Sequence, residues 1–219
     1  MTSKICIIVG AGPGMGLGTA RKFGKQGYKV ALIARRQDAL DGYTEQLGRL
    51  GIEAKGFAAN IGDFTSLKGA FDQIKSEWGD PEVLIYNAAF MKAGNPSELS
   101  IEDLQESFHI CVSGALFSAQ QVIPAMKAKK KGTILFTGGG LALNPYPFYT
   151  SLAIGKAGIR SLTFNLGAEL EPENIQVATI TISGIVQPDT HFDPDLIAES
   201  YWLLHSQQSG QRQREIVYK

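Results

Sequence analysis

The sequence predicts a doubly wound α/β fold, a parallel sheet with helices on both faces. Three observations carry it. Short apolar runs alternate with longer amphipathic stretches from end to end, the runs lack the polar alternation of a half-exposed strand, and glycines cluster at the first strand–helix junction. Strands buried on both faces read as continuous Val, Ile and Leu. Strand–helix repetition implies right-handed crossovers and therefore parallel neighbours.

The strands are expected at Ile5–Val9, Val30–Ala34, Ala54–Ala58, Val83–Tyr86, Thr133–Thr137 and Val177–Ile182. Helices are expected at Met15–Gln26, Gln37–Leu50, Phe64–Trp78, Ile101–Lys129 and Ser151–Leu170. Connections are short and no Pro/Ser/Gly linker divides the 219 residues, which suffice for one sizeable core. Residues 1–219 are thus expected to form a single domain with three layers, αβα. The Lys127–Lys131 run reads as the solvated end of a long helix, where cations meet the negative helix terminus.

Lys+Arg and Asp+Glu number 21 each, so no net basic field exists to hold a nucleic acid or an anionic membrane. At 44% hydrophobic and 19% charged, the chain reads as neither disordered nor membrane-embedded. Cys6 and Cys111 cannot build a disulfide framework and suit a reducing, cytoplasmic compartment. The apolar run Ile5–Val9 is too short for a signal peptide or a membrane span.

Glycine is the outlier, at 25 of 219, about 11% against a usual ~7%. The first strand runs into Val9-Gly10-Ala11-Gly12-Pro13-Gly14-Met15-Gly16-Leu17-Gly18. The spacing is G-x-x-x-G-x-G, as Gly10, Gly14 and Gly16; Gly12, Gly16 and Gly18 fit it too, but Gly10 abuts the strand. Glycines at such a junction let the backbone turn tightly and approach a pyrophosphate, which the following helix N-terminus attracts. A turn that merely packs helix on strand is the alternative, and the strand–turn–helix context favours nucleotide binding. A dinucleotide site for NAD wants an acid at the end of the second strand. Here Leu32-Ile33-Ala34 is followed by Arg35 and Arg36, and the first acid, Asp38, falls inside the next helix. The two arginines either clamp a 2′-phosphate or are solvated residues starting a helix. The first reading favours NADP(H) over NAD(H).

With these residues in place, the chain resembles the short-chain dehydrogenase/reductase family over nearly its whole length. Gly10-x-x-x-Gly14-x-Gly16 is similar to the family's cofactor turn, with Met15 inside it and Val9 where Thr is usual. Asn60 stands where an Asp helps hold the adenine. Tyr86-Asn87-Ala88-Ala89 resembles the Asn-Asn-Ala-Gly segment. Ile182-Ser183-Gly184 falls where Pro-Gly lies against the nicotinamide, and Asp193–Glu199 resembles the family's late helix. Glu215–Tyr218 reads as a remnant last strand in a chain that is short for the family. The resemblance implies a Rossmann-type fold with Gly10, Gly14, Met15, Gly16, Arg35, Arg36, Asn60, Asn87, Ala88, Lys156 and Gly184 on the dinucleotide. It also implies a small carbonyl or alcohol substrate, and a homodimer or homotetramer built on the helices Ile101–Lys129 and Ser151–Leu170.

The family's catalytic set is matched only in part. Lys156 stands for the lysine of Tyr-x-x-x-Lys, but Leu152 holds the tyrosine position, Gly139 the serine position and Cys111 the asparagine position. Leucine cannot donate a proton, and glycine has no side chain to polarise a carbonyl. Tyr149, three residues before Leu152 and on the same helix face, is the nearest substitute. Its alternative is a ring packing the helix start. Ser151 lies about 100° around the helix from Leu152. His109, His191 and His205 show no metal spacing, and His191 alone falls in a loop that covers the substrate in this family. Two functions stay open from these residues: an NADP(H)-dependent oxidoreductase with an altered proton donor, and a catalytically silent dinucleotide-binding sensor or partner subunit. A third, a fold relic whose surface binds a protein, is disfavoured by the glycine turn and Lys156.

Overall fold

In the computed structural model, which describes residues 4–219, the strands are β1 (Ile5–Val9), β2 (Lys29–Ala34), β3 (Ala54–Ala58), β4 (Val83–Tyr86), β5 (Gly132–Gly139), β6 (Ile175–Ile182) and β7 (Glu215–Tyr218). They form one sheet, all neighbours parallel, in the order β3-β2-β1-β4-β5-β6-β7. The chain starts mid-sheet, winds outward through β2 and β3, then returns beside β1 and winds the other way. That reversal opens a crevice at the carboxyl ends of β1 and β4, where open α/β sheets bind ligands.

Both faces of the sheet are dry. On β1, Ile5, Ile7 and Val9 join one apolar cluster while Cys6 and Ile8 join the other. The first cluster is closed by α3 (Phe64–Trp78), α5 (Gly114–Lys129) and α6 (Thr150–Leu170). The second is closed by α1 (Met15–Lys25), α2 (Gln37–Gly48) and α7 (Pro194–Ser206). The layers are therefore helix, sheet, helix. Helix starts follow local chemistry: the Asp63 carboxylate accepts from Thr65 and Ser66 N–H, and Asp193 accepts from Asp195 N–H ahead of a first-turn proline.

One element departs from the sequence reading. The helix expected over Ile101–Lys129 is interrupted: α4 (Ile101–Phe108) leads into a π-helical turn at His109–Ser113 before α5 begins. The Tyr86 hydroxyl donates to the Ile110 carbonyl and its oxygen lies against Gly114, so a side chain from β4 engages the helix ladder at the turn. Helix α6 packs against α4 and the π turn. The strand expected at Thr133–Thr137 extends to Gly132–Gly139, and the late strand begins at Ile175. In the lysine run, Lys127, Lys129 and Lys130 pair with Glu169, Asp80 and Glu173 at the surface, as a solvated helix end does.

Two glycine substitutions test this packing with opposite signs. A Cβ on Gly18 would stand 2.6 Å from the Pro194 carbonyl oxygen, so α1 and α7 could not keep their contact. Gly18→Ala is expected to lower unfolding free energy by about 1–3 kcal/mol. Gly42, inside α2 with open space around it, should gain about 1 kcal/mol on replacement by Ala. Urea denaturation of both variants measures the pair, and equal shifts in one direction would contradict the packing.

Candidate active site

The site is built where β1, β2 and β4 end. Gly10 has φ 85°, and its N–H and that of Ala11 both donate to the Ile33 carbonyl, at 2.9 and 3.0 Å. A Cβ on Gly10 would lie 2.5 Å from Ala88 N, so only glycine permits this approach. Gly16 is required by contact as well: a Cβ there would lie 2.9 Å from the Ala11 Cα. Helix α1 then opens at Met15 behind Gly14, with no side-chain cap from the described residues and no acid in its first turn. Leu17 N–H is met by the Gly12 carbonyl at 2.9 Å, which leaves the Met15 and Gly16 N–H groups and the positive helix end for an external acceptor.

Two clefts of about 630 and 640 Å³ lie on either side of this turn, and Asn87 lines both. Gly10, Ala34, Arg35, Asn60 and Ala88 line the first. Arg35 forms no ion pair among the described residues. Both arginines are exposed, but Arg36, which precedes α2 and stands 4.0 Å from Asp38, lines neither cleft. The Asn60 side chain accepts from Gly62 N–H at 3.1 Å, shaping its loop. Asn87 donates through Nδ2 to the Gly10 carbonyl at 2.9 Å, and so clasps the turn.

Gly14, Met15, Gly139, Leu152, Lys156 and Gly184 line the second cleft. Lys156 is buried, and its Nζ donates to the Thr137 carbonyl at 2.6 Å. Burial pulls its pKa below the ordinary lysine value. Its alkyl stem lies over Gly139, where a Cβ would meet Lys156 Cγ at 3.2 Å and Cδ and Cε at 3.4 Å. The neighbouring Gly140 leaves room for Ser183, whose Oγ would be 2.8 Å from a Cβ at that position.

Tyr149 does not line this cleft. It sits at the cap of α6, its ring 6.0 Å from that of Tyr146 and 5.4 Å from that of Phe148. Ser151 faces elsewhere, exchanging hydrogen bonds with the Lys92 backbone at 3.0 and 3.3 Å. Cys111 is buried within the π turn, its sulfur accepting from Phe90 N–H. His191 stacks on Tyr218 and bonds to the Lys219 carbonyl. Two polar residues that sequence reasoning gave no role, Asn144 and Ser183, line the second cleft. Asn144 belongs to a non-periodic Pro/Tyr-rich loop that offered no signal, whereas Ser183 stood within a quoted motif. Among the described residues no group of three His, Cys, Asp or Glu could hold a metal, and no helix is long and apolar enough to cross a membrane.

Residues 4–193 match the family described as short chain dehydrogenase. The chain belongs to that family. Short chain dehydrogenases are oxidoreductases that take a dinucleotide cofactor, and the crevice described above is where this fold places one. Oxidoreductase UcpA of Salmonella typhimurium is 30% identical over 183 residues, covering 82% of this chain and 68% of the relative. The 3-oxoacyl-[acyl-carrier-protein] reductase FabG of Thermotoga maritima is 24% identical, covering 91% and 81%. A metagenomic short-chain oxidoreductase solved with NADP superposes with a TM-score of 0.90 at 22% identity, covering 99% of this chain and 97% of that one. An actinorhodin polyketide ketoreductase variant with NADPH gives 0.91 at 20%, covering 98% and 95%. These structural likenesses establish the fold.

The buried lysine makes a testable demand on stability. Because its folded pKa lies below 10.5, the unfolded chain binds more protons in the window between the two values, and stability rises with pH there. Lys156→Met lacks this group. Thermal unfolding should show wild type gaining on the variant as pH rises toward 10.5, by at most about 1.4 kcal/mol per pH unit. Parallel curves would show that the amine is not desolvated.

Proposed function

We propose that this short chain dehydrogenase binds NADP(H) in preference to NAD(H) and acts, at reduced rate, on a small carbonyl or alcohol. The observation that carries the reading is the pair of clefts meeting at Asn87 over the uncapped start of α1, with Arg35 at one end and Lys156 at the other. A dinucleotide laid across the turn sets its pyrophosphate on Gly10, Gly14 and Gly16, its 2′-phosphate on Arg35 and its adenine near Asn60. Asn87, Ala88 and Met15 lie at the middle, and Lys156 and Gly184 at the nicotinamide end. Arg36, exposed beside Asp38, contributes only to the local field. The relatives solved with NADP and NADPH support the choice of cofactor. When bound, the nicotinamide supplies a hydride to a carbonyl carbon.

Arg35 is the discriminating group. Loss of a charge-assisted phosphate contact costs about 1.5–3 kcal/mol. Arg35→Ala is therefore expected to weaken NADPH binding more than tenfold and leave NADH almost unchanged in fluorescence titrations. Equal loss for both, or tighter NADH binding by wild type, refutes the assignment.

What the α6 face lacks is a hydroxyl acid at position 152. Leu152 lines the cleft without a donor, and the Lys156 stem occupies the space over Gly139. A missing general acid typically costs about 10²–10⁴ in rate. We expect reduction of generic ketones and aldehydes to be at least about a hundredfold below that of an intact relative, and Leu152→Tyr to raise it. Gly139→Ser is a poorer rescue, because its Cβ would press on the Lys156 stem. Brisk wild-type turnover would refute the weakened-donor reading; if Tyr149→Phe then abolished it, Tyr149 would be the donor. The second reading, a silent dinucleotide-binding sensor or partner subunit, is favoured by the same Leu152 and Gly139, and holds if NADPH binds but Leu152→Tyr restores nothing.

We also place the protein in the cytoplasm as a homodimer or homotetramer. Phe108 and Ile154, exposed on α4 and α6, line a common surface hollow that a second copy would cover. A monomer in sedimentation at micromolar concentration would remove this assembly.

A further inference from the structure

The opposite end of the sheet, where the strands begin, holds a further charged cavity of about 330 Å³. Lys4, Glu82 and Lys131 precede β1, β4 and β5, His205 lies near the end of α7, and Arg212 lies in the turn leading to β7. The one carboxylate here is already engaged. Glu82 is 3.0 Å from Lys131 Nζ and accepts from the Tyr28 hydroxyl at 3.0 Å. His205 is also satisfied, with Nε2 2.8 Å from the Tyr28 oxygen and Nδ1 2.9 Å from Thr133 Oγ1. Burial lowers its pKa to about 4, so it brings no charge at neutral pH. Lys4 stands over the Tyr28 ring, 5.5 Å from its centroid.

Arg212 is different. It makes no ion pair among the described residues, and its Nε is shielded from solvent without a hydrogen-bond partner. It is the one buried side-chain nitrogen or oxygen of the described residues in that state. Shielded donors are almost always paired, and this one is not, so protein groups meet the Arg212 guanidinium only in part. The lining carries three cations, Lys4, Lys131 and Arg212, against Glu82 alone. The protein groups around the cavity leave that excess of positive charge unmet.

We propose that this cavity binds a small oxyanion of the phosphate type, free or as an ester, with Arg212 as its principal contact and Lys4 and Lys131 as flanking cations. A phosphate presents only acceptors at neutral pH, which suits a guanidinium and two ammonium groups. The volume admits the ion together with a small organic group. The site lies at the far end of the sheet from the glycine turn, so it does not depend on the dinucleotide reading.

Imidazole resonances of His205 report on this cavity alone. Inorganic phosphate added to the full chain, at ionic strength held constant with chloride, is expected to shift them saturably with a Kd below about 10 mM. Glycerol 3-phosphate forms the second arm: tighter binding assigns the site to a phosphate ester, equal binding to the free ion. Arg212→Gln should weaken binding about tenfold, Lys131→Gln should weaken it less, and Arg35→Ala should leave it unchanged. The lysine variant keeps the test valid if Arg212→Gln does not fold. No saturable shift, a shift reproduced by chloride, or equal affinity in wild type and both cavity variants would overturn the proposal and leave a water-filled cavity.

Discussion

The contact of Gly10 with the Ala88 backbone governs how the rest of the site is arranged. At this separation no Cβ fits, and the positive φ of Gly10 turns the chain out of β1 at the point where β4 ends beside it. Ile33 at the end of β2 accepts from both Gly10 and Ala11, Val9 accepts from Asn87 N–H at 2.8 Å, and the Asn87 side chain closes on Gly10. Three strand ends are thus laced together by backbone groups and one amide. The start of α1 is held rigidly against the crevice, and Asn87 falls between the two clefts because it is itself part of the lacing. Rigid placement of unsatisfied N–H groups is what makes such a turn effective toward an anion, since little ordering remains to be done on binding.

The glycines at the end of β5 act in a different way, by providing space. Gly138 lies against the Thr179 and Thr181 hydroxyls, Gly139 against the Lys156 stem and Gly140 against Ser183. The Lys156 stem lies close over Gly139, and its Nζ reaches the Thr137 carbonyl. A side chain at 139 would need the Lys156 stem to give by a few tenths of an ångström, whereas position 152 lines the open cleft.

The sheet was readable because burial on both faces writes itself into composition; β1, β3 and β4 fall where their apolar runs do, and α3 is bounded by an Asp cap that the chain shows directly. The features that were not readable depend on contacts distant in sequence. The π turn is associated with Tyr86, which reaches over from β4 to residues 24 positions later. Arg35 and Arg36 are indistinguishable as letters and both are exposed, yet only Arg35 lines the cleft. Helical spacing put Tyr149 on the face of Leu152, but Tyr149 caps α6 at φ −116° and ψ 35°, outside helical geometry, so the spacing rule does not reach it. Asn144 carried no periodic signal, because its loop has none.

Thr137 joins the two faces of the molecule through one residue. Its carbonyl receives Lys156 from α6 on one side, and its hydroxyl lies 2.6 Å from that of Tyr201 on α7 on the other. Helix α7 in turn seats Pro194 against Gly18 of α1 and pairs Asp195 and Glu199 with Arg21 and Lys22. The helix that presents its N-terminus to the crevice and the lysine at the crevice's far end are therefore coupled through α7 and β5, across the sheet. Displacing α7 would move both ends of the site at once. A bound dinucleotide that needs both ends in register would stabilise this packing, and the packing in turn sets how precisely Lys156 is held.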